Sequence, residues 1–422
     1  MEIVEAVGWI IVGVFGFIDG HLGVTIAFLG LAITWYRVSG EWRQSRELNL
    51  RIAYQNFSSS QAKLDRGQSD FYPGYFDGEE KGNSLVTRPE WCYSGGRLVK
   101  LESVTEVLSE YEYEDWVTPS LGGAGLLPYR KWDLVANVRT VLESGPGWSA
   151  RTYAANSIAG AYENLTISMY EGEYFDFYNT CFGMGLLAAF QGASRRASRV
   201  NRNLRRKIHE GMRGGSSVCL KGRFALVAVS CVTVVIGGDE EYILLHQRSA
   251  KVVENKSMLG IVPAGSHQTF LDAEDRIALL DTVKREFAEE LLGVDETGES
   301  PSGSEVDDAV KGFVGPDNVY FLGIGINPVQ TYVQVLAMCV VDQRDEEVQK
   351  WLQSKGIASV EEGFTANFEG DLVARPFTKG SLRSVYNSYR RTPCLGQVSL
   401  LLFKYFDQIY GQIASKSCDD GC

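Results

Sequence analysis

The chain has 422 residues, 45% of them hydrophobic, with 53 acidic against 41 basic side chains and a net charge of −12. That length holds about two soluble domains, and the hydrophobic content is ordinary for globular protein. The acidic balance excludes a protein that coats nucleic acid and leaves small molecules, membranes or other proteins as partners.

Residues 4–36 are almost entirely apolar, with Glu5, Asp19 and His21 as the ionisable exceptions. One helix of that length would span about 50 Å, against a hydrocarbon core of about 30 Å. Two membrane arrangements fit. One is a tilted single span with Asp19 near mid-membrane, at a cost of roughly 2.5–3.5 kcal/mol. The other is a hairpin turning at Asp19-Gly20-His21. A buried helical hairpin at a domain or oligomer interface is the soluble alternative. Trp35, Tyr36 and Trp42 fit an interfacial belt, and Arg37, Arg43, Arg46 and Arg51 follow. The positive-inside rule then places the flank after residue 36, and the bulk of the chain, in the cytoplasm. No basic residue precedes the apolar run, which disfavours a secretory signal. Residues 1–50 are thus expected to be a membrane segment with its flank, a transmembrane helix or hairpin at the cell membrane that also offers a route to homo-oligomers.

Residues 51–193 read as a mixed accessory domain. The stretch 56–90 is rich in Ser, Gly, Asp and Tyr and reads as loop. From Leu165 the sequence alternates as a strand does, then ends in the aromatic cluster Tyr174, Phe175, Phe177 and Tyr178. Such a cluster packs a core, here against the domain that follows, or stacks a base. The stretch 103–116 resembles it loosely. Residues 194–215 form the one basic block, with Arg195, Arg196, Arg199, Arg202, Arg205, Arg206, Lys207 and Arg213. It reads as a solvated linker helix, as an inner-leaflet contact, or as a phosphate-capturing segment.

Residues 216–412 carry the strongest pattern. The β-branched run from Arg223 to Ile236 reads as a strand or two, and Gly237-Gly238-Asp239 as a turn. Tyr242 to Arg248 is a further strand, and Ile261 to Ser266 leads towards a short helix. Val319 to Gly325 and Tyr332 to Val341 are strands with Asn327 and Pro328 between them, and Ser399 to Phe406 is a closing helix. Residues 413–422 form a tail ending in Cys418-Asp-Asp-Gly-Cys422. The 8 cysteines are too scattered for a zinc framework, and those in apolar strands behave as small hydrophobes.

The short helix decides the reading. Leu280, Val283, Phe287 and Leu291 form its apolar stripe. Glu286, Glu289 and Glu290 share the adjoining face, where like charges repel by roughly 0.2–0.5 kcal/mol per pair. That face is either solvated or a seat for a hard divalent cation. Of the nearby histidines, His246 ends a strand and His267 follows the Gly265 turn, where a surface role is expected.

Arg285-Glu286-Phe287-Ala288-Glu289-Glu290, with the strands on either side, resembles the second half of the Nudix hydrolase signature. "LLHQRS" resembles the strand before that box, and "VPAGS" the turn that opens it. There are two departures. Leu291 and Leu292 stand before Gly293 where the signature has a single residue. In the first half, its Glu and Gly fall on Ile277 and Leu271. Gly265 with Glu274, Asp272 or Asp275 serves only if the loop is longer. The resemblance implies an α/β/α sandwich in an α/β (α+β) chain, with Mg²⁺ or Mn²⁺ held by Glu286, Glu289 and Glu290. One of these would double as the base for water attack on a diphosphate. Arg248 and Gly265 would bind substrate, and Arg285 would hold the loop through an ion pair. Glu361, Glu362, Glu369 and Asp371 read as loop charge. The expected function is a membrane-anchored, Mg²⁺-dependent hydrolase of a nucleoside diphosphate linked to another moiety. The alternative is a catalytically impaired nucleotide-sensing module coupled to the membrane segment.

Overall fold

The structure, a computed structural model, describes residues 21–69, 85–128, 133–142, 149–212, 217–248, 259–268, 278–294, 302–354, 364–367, 370–390, 392 and 394–419. It is a mixed α/β protein with one nine-stranded and one four-stranded sheet. The chain enters on a long helix, α1 (His21–Ser69), whose later turns bury Leu50, Ala53 and Phe57. No described helix is long and apolar enough to cross a membrane, and residues 4–20 of the apolar segment lie outside the described residues.

Strands β1 (Val99–Lys100) and β2 (Thr105–Leu108) come next, then helices α2 (Val117–Ala124) and α3 (Leu134–Leu142) and strands β3 (Arg151–Ala159) and β4 (Thr166–Glu173). The aromatic run then turns helical. It passes through a π turn at Tyr178–Phe182 into α4 (Gly183–Phe190), every residue of which is buried. α1 lies on α4 because Gly185 leaves room for Phe57; a methyl group at 185 would stand 2.6 Å from that ring. Phe57 and Phe182 meet edge to face at 5.2 Å, a favoured ring geometry.

The basic block forms α5 (Arg195–Met212), and it is no solvated linker. Ala197, Leu204 and Ile208 face the core together with Arg205. The Arg205 guanidinium donates to the carbonyls of Pro328 and Val329, each at 2.6 Å, and its Nε to Asn201 Oδ1 at 3.0 Å. The reason is structural. The turn 328–332 presents carbonyls inward, and a planar guanidinium satisfies several of them at once.

Next come β5 (Ser217–Cys219), β6 (Val227–Ile236), β7 (Tyr242–Arg248), β8 (Leu259–Ile261), β9 (Ala264–Ser266) and the acidic helix α6 (Leu279–Phe287). The rest of the chain forms α7 (Gly303–Ala309), β10 (Val319–Ile326), β11 (Val333–Asp342), α8 (Glu346–Ser354), β12 (Phe364–Asn367), β13 (Gly370–Pro376), α9 (Lys379–Tyr389), α10 (Leu395–Lys404) and α11 (Phe406–Asp419). The larger sheet runs β1-β10-β11-β6-β7-β13-β12, with β9 on β6 and β8 on β7. β6 and β11 are parallel, and all ten residues of β6 are buried. A parallel strand covered on both faces reads as an unbroken apolar run, as this one does.

The smaller sheet, β2-β4-β3-β5, is not a separate bead. β3 bridges to the larger sheet through Ala154–Leu226 and Thr152–Gln268. β1, from the accessory range, edges the larger sheet on β10, while β5, from the later range, edges the smaller one on β3. Leu98 N–H donates to Gln412 in α11 at 2.8 Å. One apolar cluster runs from Leu50 to Ile413, across the boundaries expected at 193 and 216.

Replacing Arg205 with Met keeps its bulk and removes its donors. The variant is expected to lose about 2–4 kcal/mol of stability in urea unfolding, from the orphaned carbonyls of the 328–332 turn.

Candidate functional site

β6 shares one edge between two partners. Thr233–Val235 pair with β7, and Ala228–Ser230 pair with β9. Between them the chain crosses from β7 to β6 through β8 and the turn at Val262-Pro263. Thr233 Oγ1 donates to Val262 O at 3.1 Å, and Cys231 N–H to Pro263 O at 2.9 Å, which fixes the crossing. The split opens a cavity of about 230 Å³. Its walls include Ser230 and Gln334 on the parallel pair, His246 on β7, Gly260 on β8, Gly265 on β9, and Glu290. Three aromatic rings, Tyr174, Phe177 and Tyr332, also line it. Phe177 and Tyr332 pack at 5.8 Å with nearly perpendicular planes. The aromatic cluster before α4 thus packs against the larger sheet and reaches its cavity.

α6 lies under β9 and β6. Leu279, Val283, Phe287 and Leu291 are buried, whereas Leu280 is only partly so. The acidic face is not solvated: Glu286 and Glu290 are buried and Glu289 is half-buried. Arg285 is the reason these charges tolerate burial. Its Nη2 donates to Glu286 Oε1 at 2.6 Å and to Ser266 O at 2.8 Å, and its Nη1 lies 3.4 Å from Glu289 Oε2. A guanidinium shared by two carboxylates and a carbonyl repays much of the desolvation that a lone buried carboxylate would suffer. Glu290 Oε2 accepts from the Ala264 N–H at 2.9 Å. Gly265 leaves room for the Glu286 carboxylate, since a methyl group there would stand 1.8 Å from Oε1 unless the carboxylate moved.

The helix closes on a π turn, Ala288–Leu292, and Gly293 ends it at φ 75°. A π turn carries one residue more than an α turn, and Leu291 and Leu292 both fall within it.

The other end of α6 is held from the smaller sheet. Glu106 on β2 accepts from the Leu279 N–H at 3.1 Å, where a carboxylate complements the helix N-terminus. Its other oxygen is 3.4 Å from His267 Nε2. His267 Nδ1 is 2.6 Å from Thr282 Oγ1, and its ring lies 4.7 Å from that of Tyr153. The expected surface role of His267 is therefore corrected: it is fully buried, because β3 covers the turn after β9.

Arg285 thus bridges Glu286 and Glu289, and a backbone amide binds Glu290. Among the described residues, no three His, Cys, Asp or Glu side chains are grouped to hold a metal ion. Asp272, Glu274, Asp275, Glu361, Glu362 and Glu369 lie outside the described residues. So does the side chain of Arg248, whose backbone pairs with Gly370. Asp371 is exposed on β13. Burial pushes the Cys181 thiol up to about 11 and the Cys339 thiol to about 12, so both stay protonated at neutral pH as small core groups.

Sequence reading overlooked Glu106, Ser230 and Gln334. The signal for the last two was present: single polar residues inside otherwise apolar strands, joined by a Ser230 Oγ to Gln334 Oε1 hydrogen bond of 3.0 Å. Glu106 offered none, because its partners are contributed by distant chain.

Arg285→Gln leaves Glu286 and Glu289 buried without their cation. It is expected to cost roughly 3–5 kcal/mol by chemical denaturation. Gly265→Ala is expected to displace the Glu286 carboxylate and lower stability by about 1–3 kcal/mol, read as a fall in Tm.

Neither a protein-family model nor a curated protein matches this chain.

Proposed function

We propose that the later half of the chain is a Nudix-like α/β/α sandwich that binds a nucleotide-type small molecule in the cavity beside Glu290 without cutting it. One observation carries this reading. Glu286 and Glu289 pair with Arg285 and Glu290 accepts from the Ala264 amide, while the cavity beside them has the make-up of a binding pocket. Tyr174, Phe177 and Tyr332 supply flat apolar surface for a base. Ser230, Gln334 and His246, which also line it, supply hydrogen-bonding groups. Coupling to a membrane through residues 4–36 belongs to the same proposal.

The second reading is hydrolysis assisted by Mg²⁺ or Mn²⁺. It is favoured by the position of Glu290, whose carboxylate lines the cavity and not the helix exterior. The further donors it needs would come from Asp272, Glu274 or Asp275.

Calorimetric titration of the full chain with a panel of nucleoside diphosphate derivatives tests the two readings, alongside assays of nucleotide and phosphate release with each metal. The binding reading expects saturable affinity and no turnover. It also expects Tyr332→Ala to weaken affinity by about tenfold, the scale of one lost base–aromatic stack. Turnover that depends on metal and vanishes in Glu290→Gln would establish the hydrolase instead. No binding of any member would sink both.

A further inference from the structure

Two surfaces that are far apart in sequence are carried by helices seated on the same element, α2. On α1, Leu31, Ile33, Trp35, Tyr36, Val38 and Trp42 are exposed, with Trp35 at 65%, Tyr36 at 81% and Trp42 at 47%. The exposed residues 31–33 and 35–39 follow one another directly, so they cover the whole circumference of the helix. A groove on a protein covers one stripe of a helix; a surrounding apolar medium covers all of it. One turn further on, the Arg46 guanidinium lies 3.5 Å from the Trp42 ring centroid. Arg46 also donates to Leu127 O at 2.8 Å, and Asn49 to Gly125 O at 3.1 Å, which seats α1 on the end of α2.

α2 in turn packs against α5. The outward side of α5 presents Arg195, Arg196, Arg199, Arg202 and Arg206, all exposed. Its only acidic residue, Glu210, sits at the far end of the helix. α1 and α5 are thus joined through α2, the first carrying apolar residues and an aromatic belt, the second an arginine shoulder.

We propose that this shoulder of α5, together with the emerging end of α1, is a docking face for an anionic lipid surface. The chemistry of the face matches that occupant. Tryptophan and tyrosine favour the headgroup level of a bilayer, and basic residues beside them are drawn to anionic headgroups. The rest of the molecule reinforces the orientation. With a net charge of −12, the body is repelled by the same surface, so the arginine face is the one that turns towards it. The inference is independent of what the cavity binds.

The test is flotation of the full chain with vesicles of phosphatidylcholine, with and without phosphatidylserine, at rising salt. The apolar segment 4–36 contributes equally to both vesicle types, so the reading is the increment that phosphatidylserine adds. Each basic residue near an anionic surface is worth about 1 kcal/mol, or about fivefold in partition. The quadruple variant Arg195→Gln, Arg196→Gln, Arg199→Gln, Arg202→Gln is therefore expected to cut the increment by more than about tenfold. Circular dichroism should stay unchanged, because all four side chains are exposed. Wild-type increment should also fall with salt. An increment that is absent in the wild type, or unchanged in the variant, overturns the proposal. So does a variant that instead loses RNA binding or self-association, measured by filter retention and light scattering, while keeping its vesicle increment.

Discussion

The Arg285 guanidinium is the interaction on which the site depends. It converts an acidic helix face that would demand solvent into one that can lie under a sheet. Glu286 and Glu289 share its charge, and Ser266 O anchors the ensemble to β9. With two of its carboxylates paired to Arg285, α6 can approach closely enough that glycine is the residue that fits at 265. Glu290 can then fasten the next amide of the same strand. The short strand β9 owes its place beside β6 to this helix as much as to its three ladder partners.

Much of the fold was legible in the sequence. The strands of the larger sheet announce themselves as apolar, β-branched runs, and β7, β10 and β11 stand within a residue of where the pattern puts them. The helix under β9 follows from the three-four-four spacing of its apolar residues. Less was legible where a charge changes its meaning on burial. Arg205 and His267 look like surface residues by type. Their burial depends on carbonyls and carboxylates contributed by chain more than a hundred residues away. The loose likeness between the stretches around 105 and 166 has a simple outcome, since β2 and β4 lie side by side as parallel strands.

The cavity joins both parts of the molecule. Its polar groups come from the parallel pair β6–β11 and from β7, whereas Tyr174 and Phe177 come from the segment that leads into α4. The Arg205 guanidinium and the Nε of Arg223, which donates to Thr331 O at 3.0 Å, brace the turn that presents Tyr332. The aromatic side of the pocket is therefore set by buried cations on elements outside the larger sheet. The acidic helix is likewise held at its start by Glu106 from the smaller sheet.

The exchange of edge strands has a consequence for how the polypeptide is made. β1 pairs with β10, and the residue just before it is bonded to Gln412. As the chain emerges from a ribosome, this amino-terminal part must therefore wait, with an open strand edge, until β10 and then α11 have been made. Such a delay favours aggregation or chaperone capture. Closure of this edge is thereby tied to the synthesis of two distant elements.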